Sequence, residues 1–162
     1  MLGCVPAATN TALVSGGIDF AAYEGAWPWV PDFDALAAAS TGRVAGLDLN
    51  ARPRDTHFGL KFTGYLEVRL DGDYTFRLTS DAGAVLRLHD ARVIDDDFDH
   101  DGSERSATIR LQAGRHPFRL HYRHGTGPLL LQLKIAGPDL PEQLVPLASF
   151  LVGGGTNGVP FA

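Results

Sequence analysis

Carboxylates are the most concentrated chemical resource in this chain. Asp95-Asp96-Asp97-Phe98-Asp99-His100-Asp101-Gly102 forms an acidic run, Asp81 stands in Thr79-Ser80-Asp81-Ala82-Gly83, and Arg123-His124 precedes the turn Gly125-Thr126-Gly127-Pro128. Carboxylate oxygens are hard acceptors that suit calcium or the vicinal hydroxyls of a sugar, whereas Arg and His donate to hydroxyl and ring oxygens. Asp97, Asp99, Asp101 and Gly102 spell DxDxDG, the first half of a calcium loop, but Thr108 stands at the twelfth position, where such a loop needs Glu. The alternative is a solvated acidic turn. Catalysis would need convergent groups, and no GxSxG or HExxH occurs. Asp95, Asp96 and Asp97 crowd one turn instead of facing each other across a cleft, as paired glycosidase carboxylates do. His89, His100, His116, His121 and His124 fall at turns or strand edges, where a solvent-facing ring is expected. The chemistry is that of a binder, and no enzyme is expected.

Alternation dictates the elements that position these groups. Phe58, Leu60, Phe62, Leu66, Val68 and Leu70 recur at every second position, and Tyr74, Phe76 and Leu78 resume the pattern after Asp71-Gly72, which reads as a hairpin. Residues 85–88 and 92–94 read as a second strand pair joined at His89-Asp90-Ala91. Ala107, Ile109 and Leu111 answer Phe118, Leu120 and Tyr122 across Ala113-Gly114 as another hairpin, and Leu129, Leu131, Leu133 and Ile135 form a last strand. Residues 18–27 supply a first strand. Between Pro28 and His57 the period is lost; Asp32 can cap a single helical turn, and Trp27, Trp29, Phe33 and Leu36 can pack this excursion onto a sheet. Phe62, Leu78, Leu88, Ile109, Leu120 and Leu131 are the expected core. The reading is all-β, an antiparallel sandwich or barrel. Antiparallel strands return residues 80–83, 95–101 and 123–127 to one rim, so Asp81, Asp95, Asp97, His100, Arg123 and His124 are the candidate ligand-binding residues. Asp81, Asp95 and Asp97 are the candidate metal set. Tyr65 or Trp29 would add a stacking face if exposed.

Bulk properties bound the reading. At 162 residues, with 44% hydrophobic and 20% charged residues, one domain is expected. The division is a lead-in over residues 1–16, a domain over 17–151 and a Gly-rich tail over 152–162. A formal charge of -5, with Arg residues alternating along strands, argues against nucleic acid. No apolar run approaches the roughly 18 residues of a membrane span. Cys4 is the only cysteine, so no internal disulfide forms. Met1-Leu2-Gly3-Cys4 is similar to the end of a lipoprotein signal without its hydrophobic stretch, and a start near a domain edge is the plainer reading.

Tyr23-Glu24-Gly25 with Trp27, Pro31-Asp32-Phe33, Phe58-Gly59-Leu60-Lys61-Phe62, Asp71-Gly72-Asp73-Tyr74-Thr75-Phe76, Thr79-Ser80-Asp81-Ala82-Gly83, Leu111-Gln112-Ala113-Gly114 and Gly137-Pro138 follow one another in unbroken order. Over residues 17–151 this series resembles the domain named after the N-terminal part of protective antigen, the PA-fourteen family. The resemblance implies a β-sandwich or barrel module attached to glycosidases, sulfatases, adhesins or toxins of exported bacterial proteins, several of which bind carbohydrate. It also implies a calcium site of two adjacent aspartates joined by a cis peptide, with an Asn from a later loop. Asp81 matches the first aspartate, Ala82 replaces the second, and Arg123-His124 stands near the Asn position. The expectation is a non-catalytic carbohydrate-binding module of a larger secreted, periplasmic or cell-surface protein, such as an accessory domain of a glycoside hydrolase or sulfatase. A structural or protein-interaction module with a decayed site is the alternative. The expected partner is a glycan or polysaccharide, with other domains tethered alongside, and calcium is the one cofactor held open.

Overall fold

The computed structural model describes residues 13–15, 17–27, 30–47, 49–81, 83–89, 91–96, 104–146 and 149–153. The expected sandwich is what forms: the described residues make twelve strands in two antiparallel sheets. In chain order they are β1 (Leu13–Ser15), β2 (Ile18–Glu24), β3 (Ser40–Val44), β4 (Phe58–Val68), β5 (Gly72–Ser80), β6 (Ala84–Leu88), β7 (Ala91–Asp96), β8 (Glu104–Leu111), β9 (Gly114–His124), β10 (Leu131–Gly137), β11 (Leu140–Leu144) and β12 (Phe150–Gly153). The larger sheet runs β1-β12-β4-β9-β6-β7, with β2 on the first half of β4 and β3 beyond it; the smaller runs β11-β10-β5-β8. Phe62, Leu86 and Leu120 of the larger sheet and Phe76, Leu78 and Leu133 of the smaller meet in one core. Phe62, Leu78, Leu88, Leu120 and Leu131 are buried as alternation requires. Ile109 is only partly buried, because β8 is an edge strand.

Two connections depart from the sequence expectation. β4 pairs with β2, β9 and β12, and β5 pairs with β8 and β10, so Asp71-Gly72 is an arch between sheets and not a hairpin. The same holds for β8 and β9 around Ala113. Alternation fixes which face of a strand is buried but not which strand lies beside it, and a short arch uses the same turn residues as a hairpin. The two arches lie side by side, with the Ala113 N–H donating to Asp71 Oδ1 at 2.7 Å. β6 and β7 do form the expected hairpin, with His89 at φ 56°.

Strands also appear where none was read. β3 crosses the 28–57 excursion with a largely exposed, polar sequence, and β11 carries Pro141, which an edge strand tolerates because one side of it needs no ladder bond. β10 is therefore not the last strand. β1 pairs with β12, placing paired strands inside both the stretch read as a lead-in and the stretch read as a tail. Leu70 is exposed, against the phase that placed it inward, and Leu36, expected to help pack the 28–57 excursion, is exposed as well.

The histidines expected at the surface are mostly interior: His116, His121 and His124 are buried. His116 Nε2 lies 2.7 Å from the Gln112 carbonyl and its Nδ1 lies 2.9 Å from His89 Nε2. Nε2 must donate to the carbonyl, so the neutral ring accepts from His89 at Nδ1. Burial holds the His116 pKa below its ordinary 6.5, only partly opposed by the carbonyl bond. The unfolded chain therefore takes up this proton first as pH falls, and His116 contributes stability above pH 6.5 that is lost as pH drops through its folded-state value. The urea midpoint is expected to fall between pH 7.5 and 5, with a shallower fall in His116→Gln; equal slopes in both proteins would contradict this.

Candidate functional site

Two of the three turns expected at one rim, 80–83 and 123–127, are anchored there by the backbone. The Asp81 N–H donates to the Leu130 carbonyl at 3.0 Å, the Arg123 N–H to the Gly83 carbonyl at 2.9 Å, and the His57 N–H to the Gly125 carbonyl at 2.8 Å. β7 ends at Asp96 opposite Ala84, which in turn faces Tyr122, so the acidic run leaves β7 from the same end. Asp97 and His100 lie outside the described residues.

Asp81 is a tie between these turns. Its Oδ1 accepts from the Tyr122 hydroxyl and from the Leu130 N–H at 3.0 Å, and its Oδ2 accepts from His124 Nδ1 at 2.6 Å. The Tyr122 phenol is pushed well above its ordinary pKa, first by burial and then by the Asp81 carboxylate, so it remains a donor. Phe58 packs against the rings of Tyr122 and His124. The Asp81 side chain is 13% exposed and that of His124 0%. Arg123, on the opposite phase of β9, is buried as well. Asp81 and His124 are brought together beneath the surface, whereas the Arg123 side chain is on the other face of β9.

The same geometry tests the calcium site that the family resemblance implies. Calcium takes about six to eight oxygen ligands. Both Asp81 oxygens already serve protein donors, Ala82 offers no side-chain oxygen, and a histidine N–H stands against Oδ2. Among the described residues no three His, Cys, Asp or Glu side chains converge. Asp95 is separated from Asp81 by the pleat: Ile94 faces the core, and Asp95 faces outward beside Val85. The described residues do not fit calcium.

Asp95 instead lines a cleft of about 470 Å³ on the outer face of the larger sheet. Its floor is Arg119 and His121 of β9, Val85 and Arg87 of β6, and Arg92 and Asp95 of β7; Val30, Pro31 and Asp32 form one wall. That wall is held by Phe33, in a 3-10 turn at Phe33–Ala35 that matches the helical turn read after Asp32. The Phe33 ring stacks on Tyr23 at 4.6 Å and meets Trp27 and His121 edge-on. A Cβ on Gly59 would lie 2.5 Å from this ring, so glycine lets the aromatic lie flat on the sheet. The excursion is thus packed by Phe33 and Trp27 as expected, while Trp29 lies outside the described residues. Arg92 pairs with Asp95 at 2.8 Å.

Sequence reading found Asp95 but missed Arg87, Arg92, Arg119, His121 and Asp32 as its neighbours. Each has the outward phase of its strand or an irregular position, and only the order β9-β6-β7 gathers them.

Residues 30–148 match the sequence profile of the PA14 domain. No curated protein sequence matches the chain. Among solved structures, an anti-sigma factor domain-containing protein from Clostridium clariflavum superposes with a TM-score of 0.69 at 22% identity, covering 84% of this chain and 47% of its own, so the chain spans about half of that protein's length. A PA14 sugar-binding domain from an RTX adhesin gives 0.67 at 18% identity, covering 87% of this chain and 100% of its own. The epithelial adhesin 9 A domain from Candida glabrata, in complex with Galβ1-4GlcNAc, gives 0.69 at 12% identity and covers 96% of each chain. At such identities the likeness is one of fold. Among the described residues no helix is long and apolar enough to cross a membrane.

Proposed function

Since the chain belongs to the PA14 domain family, we propose that it is a non-catalytic carbohydrate-binding module of a larger secreted or cell-surface protein. The observation that carries this reading is the outer-face cleft. Its 470 Å³ falls in the range of roughly 300–1,000 Å³ for small-molecule sites. Its lining interleaves acceptors, Asp32 and Asp95, with donors, Arg87, Arg92, Arg119 and His121, and a polyol needs both along one face. The sugar-binding adhesin domains of the same fold support a glycan ligand and an extracellular setting. The acidic run that begins at Asp95 borders this cleft in sequence, and Asp97 and His100 are proposed as further contacts from it. Asp81 and His124 act from below, holding the turns in place.

The occupied carboxylate of Asp81 favours a second reading, a structural or protein-interaction module in which the family's sugar site has become a hydrogen-bonded tie. A glycan array run with calcium and again with chelator separates the two. The carbohydrate reading expects the same glycans to be retained in both conditions. Retention by no glycan favours the structural module, and loss of every signal in chelator would show that calcium is bound in spite of the Asp81 tie. Thermal denaturation gives an independent check on the metal. A ligand at about 100 times its Kd stabilises by about 2.7 kcal/mol, and calcium is expected to produce no such shift.

A further inference from the structure

Three arginines occupy one row across the floor of the cleft. Arg119 of β9 is directly opposite Arg87 of β6, and Arg87 is directly opposite Arg92 of β7. Residues opposite each other on one face have Cβ atoms about 5 Å apart, where like charges repel. Arg92 is met by Asp95. Arg87, in the middle of the row and half-buried, makes no ion pair or side-chain hydrogen bond with any described residue. Three guanidinium groups face two carboxylates in the lining, Asp32 and Asp95, on a chain whose overall formal charge is -5. Among the described lining residues positive charge therefore exceeds negative, and it is partly removed from solvent, where screening is weaker and charge-assisted hydrogen bonds are stronger.

From this row, and resting on the carbohydrate reading above, we infer that the cleft selects an acidic saccharide, with the anionic substituent of one sugar residue, a uronate carboxylate or a sulfate ester, seated on Arg87 between Arg92 and Arg119. The guanidinium fork matches the paired oxygens of either group. Asp32 and Asp95 then accept hydrogen bonds from hydroxyls of the same sugar or its neighbour, which separates this ligand from a bare sulfate. Sulfate would meet the two carboxylates with repulsion and no donor to offer them. Filling the row with an anion also removes the like-charge repulsion of the empty floor, so binding is expected to stabilise the fold and to weaken as salt is raised.

The test is calorimetric titration of the whole chain with four probes: digalacturonate, its uncharged counterpart galactobiose, a sulfated galactose disaccharide, and inorganic sulfate. The inference expects digalacturonate or the sulfated disaccharide to bind on the order of tenfold or more tighter than galactobiose and inorganic sulfate, the preferred one identifying the anionic group. Arg87→Gln is expected to remove that preference while the protein melts no lower than the parent, and Arg110→Gln, the same charge change on the smaller sheet, is expected to keep it. Galactobiose binding as tightly as both acidic disaccharides overturns the acidic selectivity and leaves the carbohydrate reading standing. A preference that survives in Arg87→Gln overturns the assigned site. Inorganic sulfate binding as tightly as either acidic disaccharide overturns the saccharide part, and no binding of any probe counts against the selectivity and the carbohydrate reading together.

Discussion

Phe76→Ala is expected to destabilise the domain by about 3–5 kcal/mol, the range for truncating a fully buried aromatic. Phe76 is in the middle of β5, the strand between β8 and β10 in the smaller sheet, and is opposite Ala107 on one side and Ile135 on the other. Its ring has no exposed surface and faces the core shared with Phe62 and Leu120. With Ala107 as one cross-strand neighbour, no large side chain on that side can swing in to fill the space, so the cavity term adds to the lost transfer energy. Ile109→Ala on β8, where the side chain is only partly buried, should cost markedly less. Equilibrium urea denaturation of both variants checks the pair, and equal losses would contradict the sheet order described.

Asp81→Ala should be comparably severe, about 3–5 kcal/mol, for a different reason. The substitution removes little apolar surface but leaves the Tyr122 hydroxyl, the Leu130 N–H and His124 Nδ1 without the acceptor they share. Each buried donor left unmade costs about 1–3 kcal/mol, with some relief from water because Asp81 is 13% exposed. Asp81→Asn keeps one carbonyl oxygen for Tyr122 and Leu130 but turns an amide donor toward His124, so it should recover part of the loss. If Asp81 were instead a solvated ligand-binding carboxylate, Asp81→Ala would change binding and leave stability near that of the parent. Chemical denaturation with a glycan titration on the same variants distinguishes these outcomes.

How far the fold was legible follows from what a period of two can say. It assigns a face, so Leu78, Leu88, Leu120 and Leu131 were placed inward correctly. It says nothing about neighbours, so Asp71-Gly72 and Ala113-Gly114 were read as hairpins when both are arches between sheets. It is also weak at edges: β3 and β11 bury little, and their residues carry no alternation to find. The site was legible in a similar measure. Thr79-Ser80-Asp81-Ala82-Gly83 identified Asp81 and the missing second aspartate, but the donors that claim its oxygens are Tyr122, read as core, and His124, read as ligand-binding. The cleft depends on outward residues of β6, β7 and β9, and Arg87 and Arg119 are 32 positions apart in the sequence. A strand pairing was needed before their charges could be seen as one feature.

The central claim is that this PA14 domain holds a glycan in the cleft on the outer face of its larger sheet, and not on calcium at the Asp81 turn. A crystal structure of the protein with the best-bound oligosaccharide, grown in the presence of calcium, tests it most directly. The account predicts sugar density against Arg87, Arg119 and Asp95, with Asp81 still bonded to Tyr122 and His124. Density for a metal ion on Asp81 with the sugar on that ion, and an empty cleft, would contradict it.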